Sequence, residues 1–329
     1  MEKEKRRPWR RWVVLALMIV GFILGGENLF PAIAPEIVVA PEKLSYTPLF
    51  TLPVIGGFYL VNTIPTLVIT IILILILAFY TNRSLKKSQN TDLVPRGIGN
   101  LMESFFELLY NLTEGSAGTK YVRMIFPWFA TIMFYVLFAN LLKLIPGFES
   151  IGLIKEAHGE GGHAYVNLFG NLNMLTTEEG HYVIYPFLRG ISVDLNFTFA
   201  LALISVVMIQ VVGFRAQGWS YLSKFFATRR MFKVPFFGAM DFLVGLLELI
   251  SEISKILSFA FRLFGNMFAG IVLVSIVAGL LGNISILPAM IMLFELFIGV
   301  IQAFVFGMLT MVFMAQATQG HGDEHAEAH

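Results

Sequence analysis

The sequence predicts an all-α polytopic membrane protein: five to six transmembrane helices, a cytoplasmic interfacial amphipathic helix, and a long tilted C-terminal helical hairpin. Three observations carry that prediction. First, 57% of the 329 residues are hydrophobic and only 14% are charged, against about 45–50% and about 25% in soluble domains. A surplus of that size cannot be hidden in one aqueous core, so lipid must solvate much of the surface. Second, several apolar runs reach the roughly 20 residues that a helix needs to span a bilayer. Third, Lys and Arg gather at alternate ends of those runs, the asymmetry that sets orientation in a membrane. The net charge of +1 offers no field to attract nucleic acid. With no cysteine, disulfides, thiolate metal sites and cysteine nucleophiles are excluded.

Residues 1–57 form an N-terminal segment that begins MEKEKRRPWRRW and continues into the unbroken apolar run Val13–Leu24. This has the shape of a signal peptide. The competing and preferred reading is an uncleaved anchor reaching about Phe30, because Pro35 directly after Ala32-Ile33-Ala34 disfavours cleavage. Residues 31–57 are Pro-rich and read as irregular and external.

A membrane domain follows over 58–318. Tyr59–Tyr80 is a nearly pure Ile/Leu span with Pro65 in its first turns, and Arg83, Lys86, Lys87 and Arg96 mark its cytoplasmic end. In residues 96–118, Leu101, Phe105, Leu108, Leu109 and Leu112 alternate at helical spacing with Asn100, Glu103, Glu107 and Asn111. That segment is too polar to cross and reads as the interfacial helix. Lys120 and Arg123 lead into a span over Ile125–Ile145 that ends at Pro146-Gly147. Residues 148–190 read as a polar external loop, with Glu149, Glu156, Glu160, Glu178 and Glu179 against Lys155 and Arg189.

The span Ile191–Phe214 returns inward to Arg215, Lys224, Arg229, Arg230 and Lys233. Apolar segments at 238–282 and 285–316 then form an ion-channel hairpin over 238–316, turning near Asn283 with Pro288 soon after. As one helix the first of these would reach about 65 Å, twice the roughly 30 Å hydrocarbon core, so it must tilt or begin in the cytoplasm. The tail, 319–329, is polar and His-rich. His321, His325 and His329 would share a helix face, but Gly320 and Gly322 oppose a helix there, and no metal or cofactor is expected. Both termini read as cytoplasmic.

The chemistry gathers on the first arm of the hairpin. At about 100° per residue, Asp241, Glu248, Glu252, Lys255, Arg262 and Asn266 fall within an arc of about 80° while the opposite face is Leu, Ile, Phe and Val. A charge at mid-helix costs about 2.5–3.5 kcal/mol on insertion, so such a residue is a functional candidate by default. Snorkelling accounts for Asp241 at the cytoplasmic end. Glu248, Glu252 and Lys255 lie at spacings that let them neutralise one another. Arg262 has neither recourse: it sits roughly fourteen residues inside the polar boundary, with no acid one turn away on its own helix.

Unlike lysine, arginine keeps its proton when buried. A fixed cation of this kind lowers the pKa of any carboxylate brought beside it and repels passing cations, which divides a water-filled path in two. Gly265, Ala269 and Gly270 leave a smooth flank for another helix. If the turn lies near Asn283, Gln302 returns to the depth of Arg262, and Glu295 falls opposite residue 271 on the outer side, with Glu248 on the cytoplasmic side. One carboxylate on each side of a fixed cation is what two offset half-channels require. Interhelical hydrogen bonding is the structural alternative for Glu295 and Gln302. Asp194, Asn196 and Asn140 could line an outer vestibule or serve the same structural end.

Arg262-Leu263-Phe264-Gly265-Asn266-Met267, preceded by Glu248-Leu-Ile-Ser-Glu-Ile-Ser-Lys255, resembles the signature of subunit a of F-type ATP synthases. Gln302-Ala303-Phe304-Val305-Phe306 is similar to that family's last helix, and Asn140-Leu-Leu-Lys-Leu-Ile-Pro146 to its Asn-Leu-x-x-Leu-x-Pro segment. The resemblance covers about residues 59–318 in family order. It implies a non-catalytic proton-channel subunit of the Fo sector in a bacterial plasma membrane, working against a rotating c-ring and held by b-type stator subunits. Arg262 would face the rotor carboxylate. Asn266, Glu295 and Gln302 would belong to the outer half-channel, and Glu248, Ser251 and Ser258 to the inner one. The translocated ion is read as H⁺, with Na⁺ left open. Ile271 departs from the family, which often carries Glu or His there opposite the acid of the last helix.

Rival classes fare less well. An ion-coupled secondary transporter or channel is the alternative, but no repeated half and no pair of interrupted helices is visible. A membrane enzyme lacks its motifs: there is no Walker loop, no HExxH and no convincing Ser/His/Asp set.

Overall fold

A computed structural model describes residues 12, 40–45, 47–53, 56–89, 97–145, 147–156, 162–169, 172–225, 235–281 and 287–319. The anchor or signal segment, the turn at Asn283 and the His-rich tail lie outside the described residues. Among the described residues, five helices are long and apolar enough to cross a membrane, which makes the chain a mostly helical, multi-pass membrane protein.

Ahead of the first helix, strands β1 (Phe50–Leu52) and β2 (Gly56–Phe58) pair antiparallel, with Phe50 stacked on Phe58 at 4.7 Å. Helix α1, Thr63–Gln89, takes the Ile/Leu run. Pro65 sits in its first turn, where a missing N–H costs nothing. Its Val68, Ile71, Leu75 and Phe79 are exposed while Thr66 and Thr70 are buried, and Thr70 returns its hydroxyl to the Thr66 carbonyl at 2.8 Å. Apolar outside and polar inside is the arrangement that lipid selects.

Helix α2, Ile98–Leu142, joins the amphipathic segment to the following span across a break at Gly118, where φ is 73° and ψ is 165°. That conformation is open essentially to glycine alone. Helical structure resumes directly after the break, several residues before Ile125.

The segment read as a polar loop, 148–190, is in large part strand. The segment carries an antiparallel sheet of β3 (Gly152–Glu156), β4 (Gly162–Phe169), β5 (Leu172–Gly180) and β6 (Tyr182–Pro186), in the order β3-β6-β4-β5. Val166 pairs with Met174 and Leu153 with Tyr185. Stretches such as Tyr182-Val183-Ile184-Tyr185 have strong β-propensity, and the glutamates beside them are tolerated on exposed positions.

A short 3-10 turn, Ile191–Val193, precedes α3, Leu195–Gln217, which a second 3-10 turn, Gly218–Lys224, follows. Helices α4, Pro235–Leu281, and α5, Leu287–Thr318, close the fold.

The chain divides into two compact units. Among the described residues, one holds Ser150–Phe187 and Ala269–Glu295. The other holds Val39–Glu149, Leu188–Phe268 and Leu296–His329. The core of this second unit is built from α2, α3, α4 and α5: Ile125, Phe129, Val136, Ile209, Phe259, Leu263, Phe306 and Met311 are all essentially inaccessible. Phe259 meets Phe306 at 5.1 Å and Phe313 at 5.8 Å. Gly307 lets α5 approach α2 closely, since a Cβ there would stand 2.9 Å from Met133 Cβ. The end of α5 is closed by α3: Gln217 Nε2 donates to the carbonyls of Ala317 at 3.0 Å and Gln319 at 2.8 Å.

Candidate functional site

The polar face of α4 carries two arrangements in the second unit. In the first, Lys255 Nζ donates to Glu252 Oε1 at 2.9 Å, an i,i+3 pair in which Glu252 is buried. The same ammonium lies 4.8 Å from the centre of the Phe313 ring on α5, a cation–π contact. Tyr221, in the 3-10 turn after α3, is buried and donates its hydroxyl to Gln210 Oε1 at 2.7 Å. Its ring fits only because residue 213 is glycine, where a Cβ would stand 2.5 Å from ring atom Cε2. Glu248 is partly exposed. Ser251 and Ser258 are exposed on a face with Leu247, Ile250, Leu257 and Phe261. Among the described residues neither serine bonds to the Glu252–Lys255 pair.

In the second arrangement, Asn266 Nδ2 donates to Gln302 Oε1 at 2.8 Å, tying α4 to α5 one turn beyond Arg262. Gln302 is 3% exposed, and its Nε2 has no hydrogen-bond partner among the described residues. One turn earlier on α5, the Gly299 carbonyl accepts from Asn140 Nδ2 of α2 at 3.0 Å. Asn140 Oδ1 is likewise buried with its bonding capacity unfilled among the described residues. Arg262 itself is partly exposed and, among the described residues, forms no ion pair.

In the other unit, Glu295 is buried and its carboxyl is seated against Gly270. A Cβ at residue 270 would stand 2.9 Å from Glu295 Cδ and 3.2 Å from Cγ, and would collide with Oε1. The seat therefore exists because that residue is glycine.

The three residues read as lining an outer vestibule all belong to the second unit. Asn140 bonds to α5. Asp194 is buried and caps α3, accepting from the Asn196 amide at 2.9 Å and from Thr63 Oγ1 of α1 at 3.0 Å. The Asn196 side chain is exposed.

Tyr221, Gln210 and Thr63 were not singled out from the sequence. Gly270 had a signal, as one of the small residues flanking Arg262; the partners of the other three depend on contacts between elements.

The family model described as "ATP synthase A chain" matches residues 64–315. A Campylobacter jejuni protein named ATP synthase subunit a is 30% identical over 241 residues, 71% of this chain and 84% of that protein. One of the same name from Desulforamulus reducens is 30% identical over 235 residues, 68% of this chain and 70% of its own length. One from Helicobacter pylori is 29% identical over 255 residues, 76% and 90% respectively.

Proposed function

This chain belongs to the ATP synthase A chain family, and from that premise we propose that it is the stator subunit that supplies two offset proton half-channels to a rotating c-ring. As a member of the family it is a membrane subunit that works with other ATP synthase subunits in proton transport and ATP synthesis. The finer reading puts the c-ring against α4 and α5, b-type subunits behind them and lipid around the remainder, in a bacterial plasma membrane with the Lys/Arg-rich ends of the spans in the cytoplasm. It assigns H⁺ as the ion and leaves all nucleotide chemistry to partner subunits.

The observation that carries this reading is Arg262. A guanidinium at bilayer depth cannot be neutralised by losing its proton, and it has no ion-pair partner among the described residues. Its countercharge is a carboxylate on another protein, presented to the exposed apolar face that includes Leu257 and Phe261. Protons enter past Glu295; the Asn266–Gln302 bond, together with Gln302 Nε2 and Asn140 Oδ1, which have no hydrogen-bond partner among the described residues, offers sites for ordered water. Glu295 is seated against Gly270, next to Ile271, where the family often carries Glu or His. The rotor carboxyl takes up the proton, becomes neutral and turns into lipid. It releases the proton on reaching the inner half-channel, where Glu248, Ser251 and Ser258 lead to the cytoplasm. Arg262 favours the ionised carboxylate and blocks direct leak between the half-channels.

The test is Arg262→Ala in the intact complex, reconstituted in proteoliposomes and energised by an imposed proton gradient. ATP synthesis is expected to be abolished; synthesis at the normal rate overturns the assignment. Repeating the flux measurement over a range of sodium concentrations checks the ion, since rates that track sodium would replace H⁺.

A further inference from the structure

The described residues between 40 and 62 precede the family match, which begins at residue 64, yet they are held to the start of the bundle. Lys43 bridges Val61, and the amides of Leu44 and Leu49 donate to the carbonyls of Leu60 and Phe58, each at 2.7 Å. This strap is pinned by Arg189, itself 9% exposed, whose Nη1 donates to the Ala40 carbonyl at 2.8 Å while its amide donates to Thr66 Oγ1 at 3.2 Å.

The consequence is the placement of one acid. Asn62, fully buried, donates Nδ2 to Glu42 Oε2 at 3.0 Å and accepts the Glu42 amide at 3.3 Å. The next residue, Thr63, donates to Asp194. Consecutive residues at the start of α1 thus hold a partly exposed carboxylate and a buried one. Ser192 Oγ, two residues from Asp194, is 1% exposed and has no hydrogen-bond partner among the described residues. A helix cap explains the bond from Asp194 to the Asn196 amide. It does not explain a second acid held on the adjoining residue by a separate strap, nor a buried hydroxyl without a partner among the described residues.

We propose that Glu42 is a proton-collecting residue at the outer mouth of the channel, passing protons from bulk water toward Asp194. The proposal rests on the proton-channel reading above. In net terms one proton leaves bulk water and reaches the Asp194 carboxylate, and Glu42 ends ionised as it began. The charged groups on the elements packed around this mouth are Lys43 of the strap, which lies over the Tyr59 ring at 4.0 Å, Arg189, Glu149, which accepts from the Gly190 amide at 2.9 Å, and Lys143 beside Gly190.

The test uses Glu42→Gln, which keeps an acceptor oxygen for Asn62 and removes the titrating group. ATP synthesis by the reconstituted complex is followed at a constant pH difference while the pH on the entry side is raised. Charged clefts raise on-rates by about 10–10³-fold, so Glu42→Gln is expected to be about tenfold slower at high entry pH and to converge with wild type at low entry pH. A high concentration of mobile buffer should restore the lost rate. Curves that coincide across the pH range overturn the proposal, as does a deficit that buffer cannot rescue, which would mark a structural role. The Arg262→Ala complex measured alongside separates the two failures: coupled synthesis lost there, with Glu42→Gln normal, removes only the collecting role.

Discussion

Gly270→Ala separates packing from positioning at the buried acid of the last helix. The added methyl would stand 2.9 Å from Glu295 Cδ and 3.2 Å from Cγ, where carbon atoms prefer about 3.5–4.0 Å. The carboxyl must therefore retreat by up to about 1 Å. What it displaces is the far end of a flexible side chain, so relief costs an off-rotamer adjustment of about 0.5–1.5 kcal/mol, small beside a total stability of about 5–15 kcal/mol. A displacement of about 1 Å at a reacting group is worth about 10²-fold in rate. The complex should assemble in normal amount on a native gel while gradient-driven ATP synthesis in proteoliposomes falls by about two orders of magnitude. Glu295→Asp in the same chain shortens the acid by one methylene, clears the methyl and should return part of the rate. A single variant with wild-type synthesis would refute the positioning argument. Failure to assemble would refute it as well, because Gly270 would then be a packing residue.

Two further substitutions probe the framework. Gly307→Ala would press a methyl to 2.9 Å from Met133 Cβ and 3.0 Å from the Phe129 ring, neither of which can swing away as a chain end can. Overpacking of this kind costs about 1–3 kcal/mol, read as a lower melting temperature of the detergent-purified protein; an unchanged transition would mean that α2 and α5 yield freely. Lys255→Met removes the 2.9 Å partner of the buried Glu252. Breaking a buried pair costs about 3–5 kcal/mol, reduced to about 1–3 kcal/mol here because the lysine side chain keeps 20% of its exposure. Adding Glu252→Gln should recover most of the loss in a denaturation series, and no recovery would show that the lysine acts through something other than that acid.

The helices were legible because lipid demands long apolar runs, and few alternatives satisfy that demand. The sheet over 152–186 was not. Its glutamates outweighed the strand character of Tyr165-Val166 and Tyr182–Tyr185, and strand pairing such as Leu153 with Tyr185 depends on contacts distant in sequence. The same division runs through the site. The Glu252–Lys255 pair follows from helical spacing alone. A hairpin turning near Asn283 sets Arg262 opposite Gln302, whereas the hydrogen bond to Gln302 comes from Asn266, one turn further along; a turn located to within a few residues leaves that much slack in register. The Thr63–Asp194 bond, 131 residues apart in sequence, and the seating of the Tyr221 ring on Gly213 have no local signal, because tertiary packing alone creates them.

The bonds from Gln217 to the last carbonyls of α5 have a mechanical meaning. On the proposed reading, a ring turning past α5 would drag on it, and by reaction the helix would be pushed along and across its own axis. An unclamped terminus would absorb that recoil by unwinding, since its final carbonyls have no intrahelical partners. Here one amide from α3 grips the carbonyl of Ala317 in the last turn and that of Gln319 just beyond it, so such a thrust would pass into a neighbouring helix.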